Sequence, residues 1–139
     1  MRSEQLHPGQ GKGKIERLYA QLIAATPSGE TVTISNSYFL PTRPLRDAII
    51  TAAARGVRFR LLLNASDAKD PAARVFGLAF RDELRRLWKR LPAEAIEVFE
   101  WQGSAKRNEA SIHQKIAAFG RRGPILVGSA NLDALSVSH

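Results

Sequence analysis

TVTISNSYFLPTRPLRDAIITAAARGVRFRLLL, residues 31–63, decides the fold. Thr31-Val32-Thr33-Ile34-Ser35 is β-branched and alternating, which is the pattern of a strand. Pro41 and Pro44 mark a loop behind it, and Pro44 suits the first turn of a helix striped by Leu45, Ala48, Ile49, Ala52 and Ala53. Gly56 stands where a left-handed C-cap belongs, and Val57 to Leu63 reads as the next strand. Strand, helix and strand in this order form a βαβ unit, so the two strands are expected to be parallel.

Upstream, Ile15, Leu18, Tyr19, Leu22 and Ile23 recur at i, i+3, i+4, i+7 and i+8, a one-faced helix that ends near Pro27-Ser28-Gly29. Residues 1–13, polar and marked by Gly9, Gly11 and Gly13, are expected to be a flexible segment before a domain spanning 14–139. Downstream, residues 64–70 form a polar loop holding Asp67 and Asp70, and Asp70 can cap a long helix from Pro71 to Pro92. Phe76, Phe80, Leu84, Leu87, Trp88 and Leu91 are expected on its buried face; Arg81, Arg85, Arg86, Lys89 and Arg90 read as a solvated face. Ile96 to Trp101 is a short strand, with Trp101, like Trp88, expected in the core. After a polar loop with Lys106 and Arg107, residues 112–119 form a strand, Gly120-Arg121-Arg122-Gly123 a turn, and 124–127 the returning strand. The expected architecture is one α/β domain: a mixed, largely parallel sheet with helices packed on both faces.

Composition narrows the function classes. The chain has 139 residues, 44% of them hydrophobic, enough for one domain with a core. Lys+Arg 21 against Asp+Glu 13 gives +8, a field that favours anionic partners such as nucleic acid, phospholipid headgroups or other phosphate esters. With no cysteine, disulfides and thiolate metal sites are excluded. No apolar run approaches the ~18 residues of a membrane span, and residues 1–14 have no apolar stretch of the kind a secretory signal carries. The sequence reads as soluble and without an export signal, although Met1 can equally be a start inside a longer protein.

The chemistry concentrates at Ser111-Ile112-His113-Gln114-Lys115 and at Gly128-Ser129-Ala130-Asn131-Leu132-Asp133. On a strand, His113 and Lys115 share a face. An imidazole nucleophile beside a fixed cation suits a phosphoryl group: one attacks phosphorus while the other neutralises its oxygens. Ser129 and Asn131 add a hydroxyl and an amide, both partners for phosphate oxygens. Gly128 supplies the turn, and Asp133 reads as the cap of a turn or helix behind the motif.

In order and spacing these residues resemble the second half of the HxK…GSxNxD signature of the phospholipase D superfamily. The resemblance extends upstream through Asn36-Ser37-Tyr38-Phe39-Leu40-Pro41 and Ala54-Arg55-Gly56-Val57 to Leu61-Leu62-Leu63, which look like the cardiolipin-synthase-like members. It implies transfer through a phosphohistidine, with His113 the nucleophile, Lys115 the phosphate clamp, and Ser129 and Asn131 the oxygen ligands. It implies no metal and no cofactor. The implied substrate is a phosphodiester, phospholipid as in cardiolipin synthases, at a site that is cytoplasmic or peripheral at the inner membrane face. Tyr38 and Phe39 read as core before substrate contacts.

Family members face two such half-sites against each other, and this chain carries one; His7 and His139 have no partner motif. Activity is therefore expected to need a second half, from a longer chain or a homodimer. Three departures accompany this: Gly120 and Leu135 stand where the family has Asp and Arg, and no acidic residue lies about ten positions past Asn131 to orient the histidine. The chain reads as truncated, and alone is expected to fold but to be nearly inactive. Two alternatives stay open: a homodimeric endonuclease on DNA, and a non-catalytic structural half.

Overall fold

The computed structural model describes residues 11–36, 39–64, 71–101, 115–128 and 132–133. In chain order these form α1 (Gly11–Ala25), β1 (Thr31–Ser35), β2 (Phe39–Leu40), α2 (Arg43–Ala54), β3 (Arg58–Asn64), α3 (Pro71–Lys89), β4 (Ile96–Trp101), β5 (Ile116–Phe119), β6 (Ile125–Val127) and β7 (Leu132–Asp133). The main sheet runs β4-β3-β1-β5-β6, and β2 pairs with β7 in a separate two-stranded ladder. β1, β3 and β4 are mutually parallel, with Val32 opposite Phe59 and Phe59 opposite Ile96. β5 returns antiparallel to β1, and β6 antiparallel to β5. The expected α/β class, the mixed and largely parallel sheet and the parallel βαβ pair are all present. α1 already begins at Gly11, inside the segment expected to precede the domain.

Strand alternation sorts the sheet into two unlike faces. Val32 and Ile34 of β1, Phe59, Leu61 and Leu63 of β3, Ile96 of β4, and Ala117 and Phe119 of β5 are buried on one of them. They pack with Tyr19 and Ile23 of α1, Leu45 and Ile49 of α2, and Leu84 and Leu87 of α3 into a single core. Arg46 of α2 forms an ion pair with Glu83 of α3, so these helices are neighbours. All three described helices therefore form one layer, whereas the sequence suggested helices on both faces. The cause is topological. The crossovers β1-α2-β3 and β3-α3-β4 step in the same direction across the sheet, and crossovers of one hand then place both helices on one side.

Two expectations about the core are corrected. Trp88 and Trp101 are exposed. Trp88 lies at the end of the sheet beside Phe99 and Glu100 of β4, the last strand among the described residues. Trp101 shares the parity of Glu97 and Phe99, opposite to buried Ile96, and so lies on the face without a described helix. Leu84 and Leu87 are buried and Leu91 packs against the core as expected, while the side chains of Phe76 and Phe80 lie outside the described residues.

Arg55-Gly56-Val57 shows how local sequence joins these elements. The Arg55 guanidinium donates to the carbonyls of Ala24 and Thr26, both at 3.1 Å, and so caps α1, which has no basic residue in its own last turn. The Gly56 N–H donates to Ala53 O and the Val57 N–H to Ala52 O, each at 3.0 Å, closing α2 in a Schellman motif with Gly56 at φ 98°. A Cβ at Gly56 would meet Ser28 Oγ at 2.6 Å, and that hydroxyl donates to Arg55 O. Gly56→Ala is therefore expected to cost about 1–3 kcal/mol, from left-handed backbone strain and the displaced Ser28 bond. Thermal unfolding should show Tm lowered by roughly 5–10 °C; an unchanged Tm contradicts this reading of the turn.

Tyr19 meets Phe119 edge to face, with ring centroids 5.7 Å apart. Burial pushes its phenol above the ordinary 10.0. The native state then holds its proton where the unfolded chain has released it, so stability is intact below about pH 10 and falls as pH rises through the folded value. Urea midpoints measured from pH 9 upward should fall more steeply for the native sequence than for Tyr19→Phe; identical slopes contradict this.

Candidate functional site

Parallel strands bring their carboxyl ends to one edge of the sheet, and in open α/β sheets that edge is where loops gather into sites. β1, β3 and β4 all end there, and β5 starts there. Ser35 is opposite Ile116, so the next residues outward, Asn36 and Lys115, stand side by side at the rim. The Gly128 N–H donates to Lys115 O at 2.9 Å, extending the β5–β6 hairpin by one rung beyond Ile116 and Val127. This bond joins the two motif segments: Lys115 belongs to the first and Gly128 opens the second.

Asn36 is a contributor that the motif reading did not single out. Its side chain is fully buried, at 0% exposure, and its backbone N–H donates to Leu62 O at 3.1 Å. The signal was in the alternation: Val32, Ile34 and Asn36 share one parity, so a carboxamide follows two core aliphatics on the inner face. A buried amide at the end of a strand, in line with Lys115, is costly unless it is hydrogen-bonded, and so suits a fixed structural or binding role.

The β2–β7 ladder adds a second tie. Phe39 pairs with Leu132 and Leu40 with Asp133 in parallel register, so the loop leaving β1 is strapped to the segment following the second motif. Phe39 is fully buried, as expected of core. The Asp133 backbone lies in strand β7, while its side chain and the residues after it, on which the expected cap rests, lie outside the described residues. A short strand was illegible there because two residues carry no periodicity.

Of the expected site residues, the structure brings Lys115 and Gly128 together and places the Asp133 backbone beside β2. His113, Ser129 and Asn131 lie outside the described residues, as do Tyr38, Asp67, Asp70, Lys106 and Arg107. Among the described residues, no three His, Cys, Asp or Glu side chains gather to hold a metal ion. No helix among them is long and apolar enough to cross a membrane.

The βαβαβ sheet, completed by an antiparallel hairpin, thus holds a lysine and a glycine turn together at its carboxyl edge. A family profile described as "Cardiolipin synthase, PLD-like domain" matches residues 19–139, and the chain belongs to this phospholipase D-like family. It is 32% identical over 124 residues to cardiolipin synthase B of Escherichia coli (strain K12), covering 89% of this chain and 26% of that protein. The chain thus spans about a quarter of the length of this curated relative. Among solved structures, NucT from Helicobacter pylori superposes with a TM-score of 0.61 at 15% identity, covering 94% of this chain and 74% of that one. Nuc from Salmonella typhimurium, a phospholipase D family member, gives 0.56 at 14%, covering 95% and 73%. At these identities the likeness is one of fold.

Proposed function

We propose that this chain is one half-site of a phosphodiester-transferring enzyme acting on phospholipid through a phosphohistidine at His113. The observation that carries the reading is the Gly128-to-Lys115 bond, which sets the lysine of the first motif segment against the turn of the second at the carboxyl edge of the sheet. The likeness to cardiolipin synthases over most of the chain favours phospholipid.

In the first step an imidazole nitrogen of His113 bonds to phosphorus and the phosphorus–oxygen bond to the leaving group breaks, with a facing acid supplying its proton. In the second, the facing group, now a base, takes the proton of a water or alcohol whose oxygen bonds to phosphorus, and the phosphorus–nitrogen bond to histidine breaks. Hydrolysis and transfer differ only in that acceptor. Lys115, Ser129 and Asn131 hold the phosphoryl oxygens, and their donors are worth most where charge builds up in each transition state. Neither step calls on a metal or cofactor.

The test is headgroup release from phospholipid by the active assembly, with and without Lys115→Ala. Loss of the clamp should lower turnover by about 10²–10³-fold; an unchanged rate overturns the role of Lys115. A second reading, a paired nuclease on DNA, draws on the charge of +8. It requires DNA retention that falls steeply with salt, and no retention at low salt removes it.

A further inference from the structure

The outer edge of the sheet presents a surface that the catalytic reading does not use. Along α3, Leu78, Arg81, Arg85 and Trp88 follow at spacings of 3, 4 and 3, so they form one exposed stripe. Arg81, Arg85 and Trp88 line a groove of about 470 Å³ with Phe99 and Glu100 of the neighbouring edge strand β4. Leu78, Trp88, Phe99 and Trp101 are 67%, 48%, 50% and 45% exposed. Arg81 is paired with Glu100 at 3.4 Å and Arg86 with Asp82 at 2.8 Å. Arg85, Lys89 and Arg90 have no acidic partner among the described residues. The groove and the helix face beside it therefore combine large apolar side chains, which would rather leave water, with the uncompensated Arg85 and Lys89, and Trp101 stands on the other face of β4 at the same edge of the sheet.

We propose that the α3–β4 edge docks the domain on the surface of an anionic phospholipid bilayer. Tryptophan, phenylalanine and leucine penetrate to the headgroup boundary, and the surrounding arginines and lysine meet lipid phosphates. Nucleic acid fits this surface less well. An exposed leucine gives a base nothing to stack on, and Glu100 would face a phosphate backbone following the groove. The orientation also suits the reading above, which this proposal extends and on which its functional meaning rests. Trp101 ends β4 at the carboxyl edge, and β4 lies three strand spacings, about 14 Å, from β5 and Lys115. A bilayer resting on this edge would present its headgroups beside the site.

Trp88 and Trp101 are the only two tryptophans of the chain, so intrinsic fluorescence reports on this surface. The 139-residue chain is mixed with vesicles of phosphatidylglycerol or of phosphatidylcholine, with and without brominated acyl chains. Expected are a blue shift, quenching by bromine and co-sedimentation with phosphatidylglycerol, and little of each with phosphatidylcholine. Neutralising one cation near an anionic surface should weaken partitioning about fivefold, so Arg85→Gln with Lys89→Gln should weaken it roughly 25-fold. Trp88→Ala should weaken it several-fold. These side chains are exposed, and an unchanged circular dichroism melt confirms that the variants fold. His113→Ala should bind like the native sequence, so a failed catalytic reading leaves this result standing. The proposal is overturned by absence of binding to phosphatidylglycerol, by equal binding to both vesicles, by binding that the double variant leaves intact, or by sedimentation without bromine quenching.

Discussion

His113→Ala is expected to lower phosphodiester turnover by the active assembly by at least about 10³-fold. Removing the nucleophile closes the covalent route, leaving direct attack by water on a phosphoryl group still held by Lys115, Ser129 and Asn131. Binding and charge stabilisation alone retain a small part of an enzyme's acceleration, so the variant should be measurably above background but far below the native rate. Because its phosphate ligands remain, KM should move little while kcat collapses. The double variant with Lys115→Ala should then lose less than the product of the two single losses, since residues acting as a unit are not additive. Equal activity in native and His113→Ala protein removes the catalytic reading and leaves the structural-half alternative.

The second large effect concerns pairing. One half-site offers one imidazole, which can attack phosphorus but cannot at the same time protonate the departing oxygen. General acid catalysis commonly contributes ~10²–10⁴-fold. The monomeric 139-residue chain is accordingly expected to fold yet to fall short of the assembled site by about that factor. Activity measured across a dilution series, with light scattering on the same samples, reports this directly. Turnover should follow the fraction in which two half-sites face each other. A monomer turning over a simple phosphodiester at roughly 1 per second or faster contradicts the requirement.

Much of the framework was legible because it is written in short-range patterns. The alternation of Thr31–Ser35, the stripe from Leu45 to Ala53 and the glycine at position 56 each impose one local conformation, and together they dictate a parallel βαβ unit. Gly56 was readable as a left-handed cap because the stripe ends just before it. The exposure of Trp88 and Trp101 was not readable, because it depends on which strand is outermost and which face the helices cover. Hydrophobicity says that an indole prefers to leave water; topology decides whether anything is there to receive it. β2 and β7 were missed for another reason. Two residues cannot show a period, and their pairing joins segments far apart in the chain. At the site, the motif spacing pointed to Lys115 and Gly128, and their hydrogen bond bears out the hairpin that joins them. Asn36 is legible only through its parity with Val32 and Ile34, because a carboxamide beside two aromatic residues otherwise reads as part of a loop.

The central claim is that His113 becomes covalently bonded to phosphorus. Rapid mixing of the active assembly with a phosphodiester, quenching under alkaline conditions that preserve phosphoramidates, and peptide mass analysis test it directly. The account predicts a phosphoryl-linked adduct on the peptide spanning Ser111–Lys115, labile to acid, at His113, and absent from His113→Ala. Turnover with no such adduct at any time, or with the adduct on another residue and undiminished in His113→Ala, contradicts it.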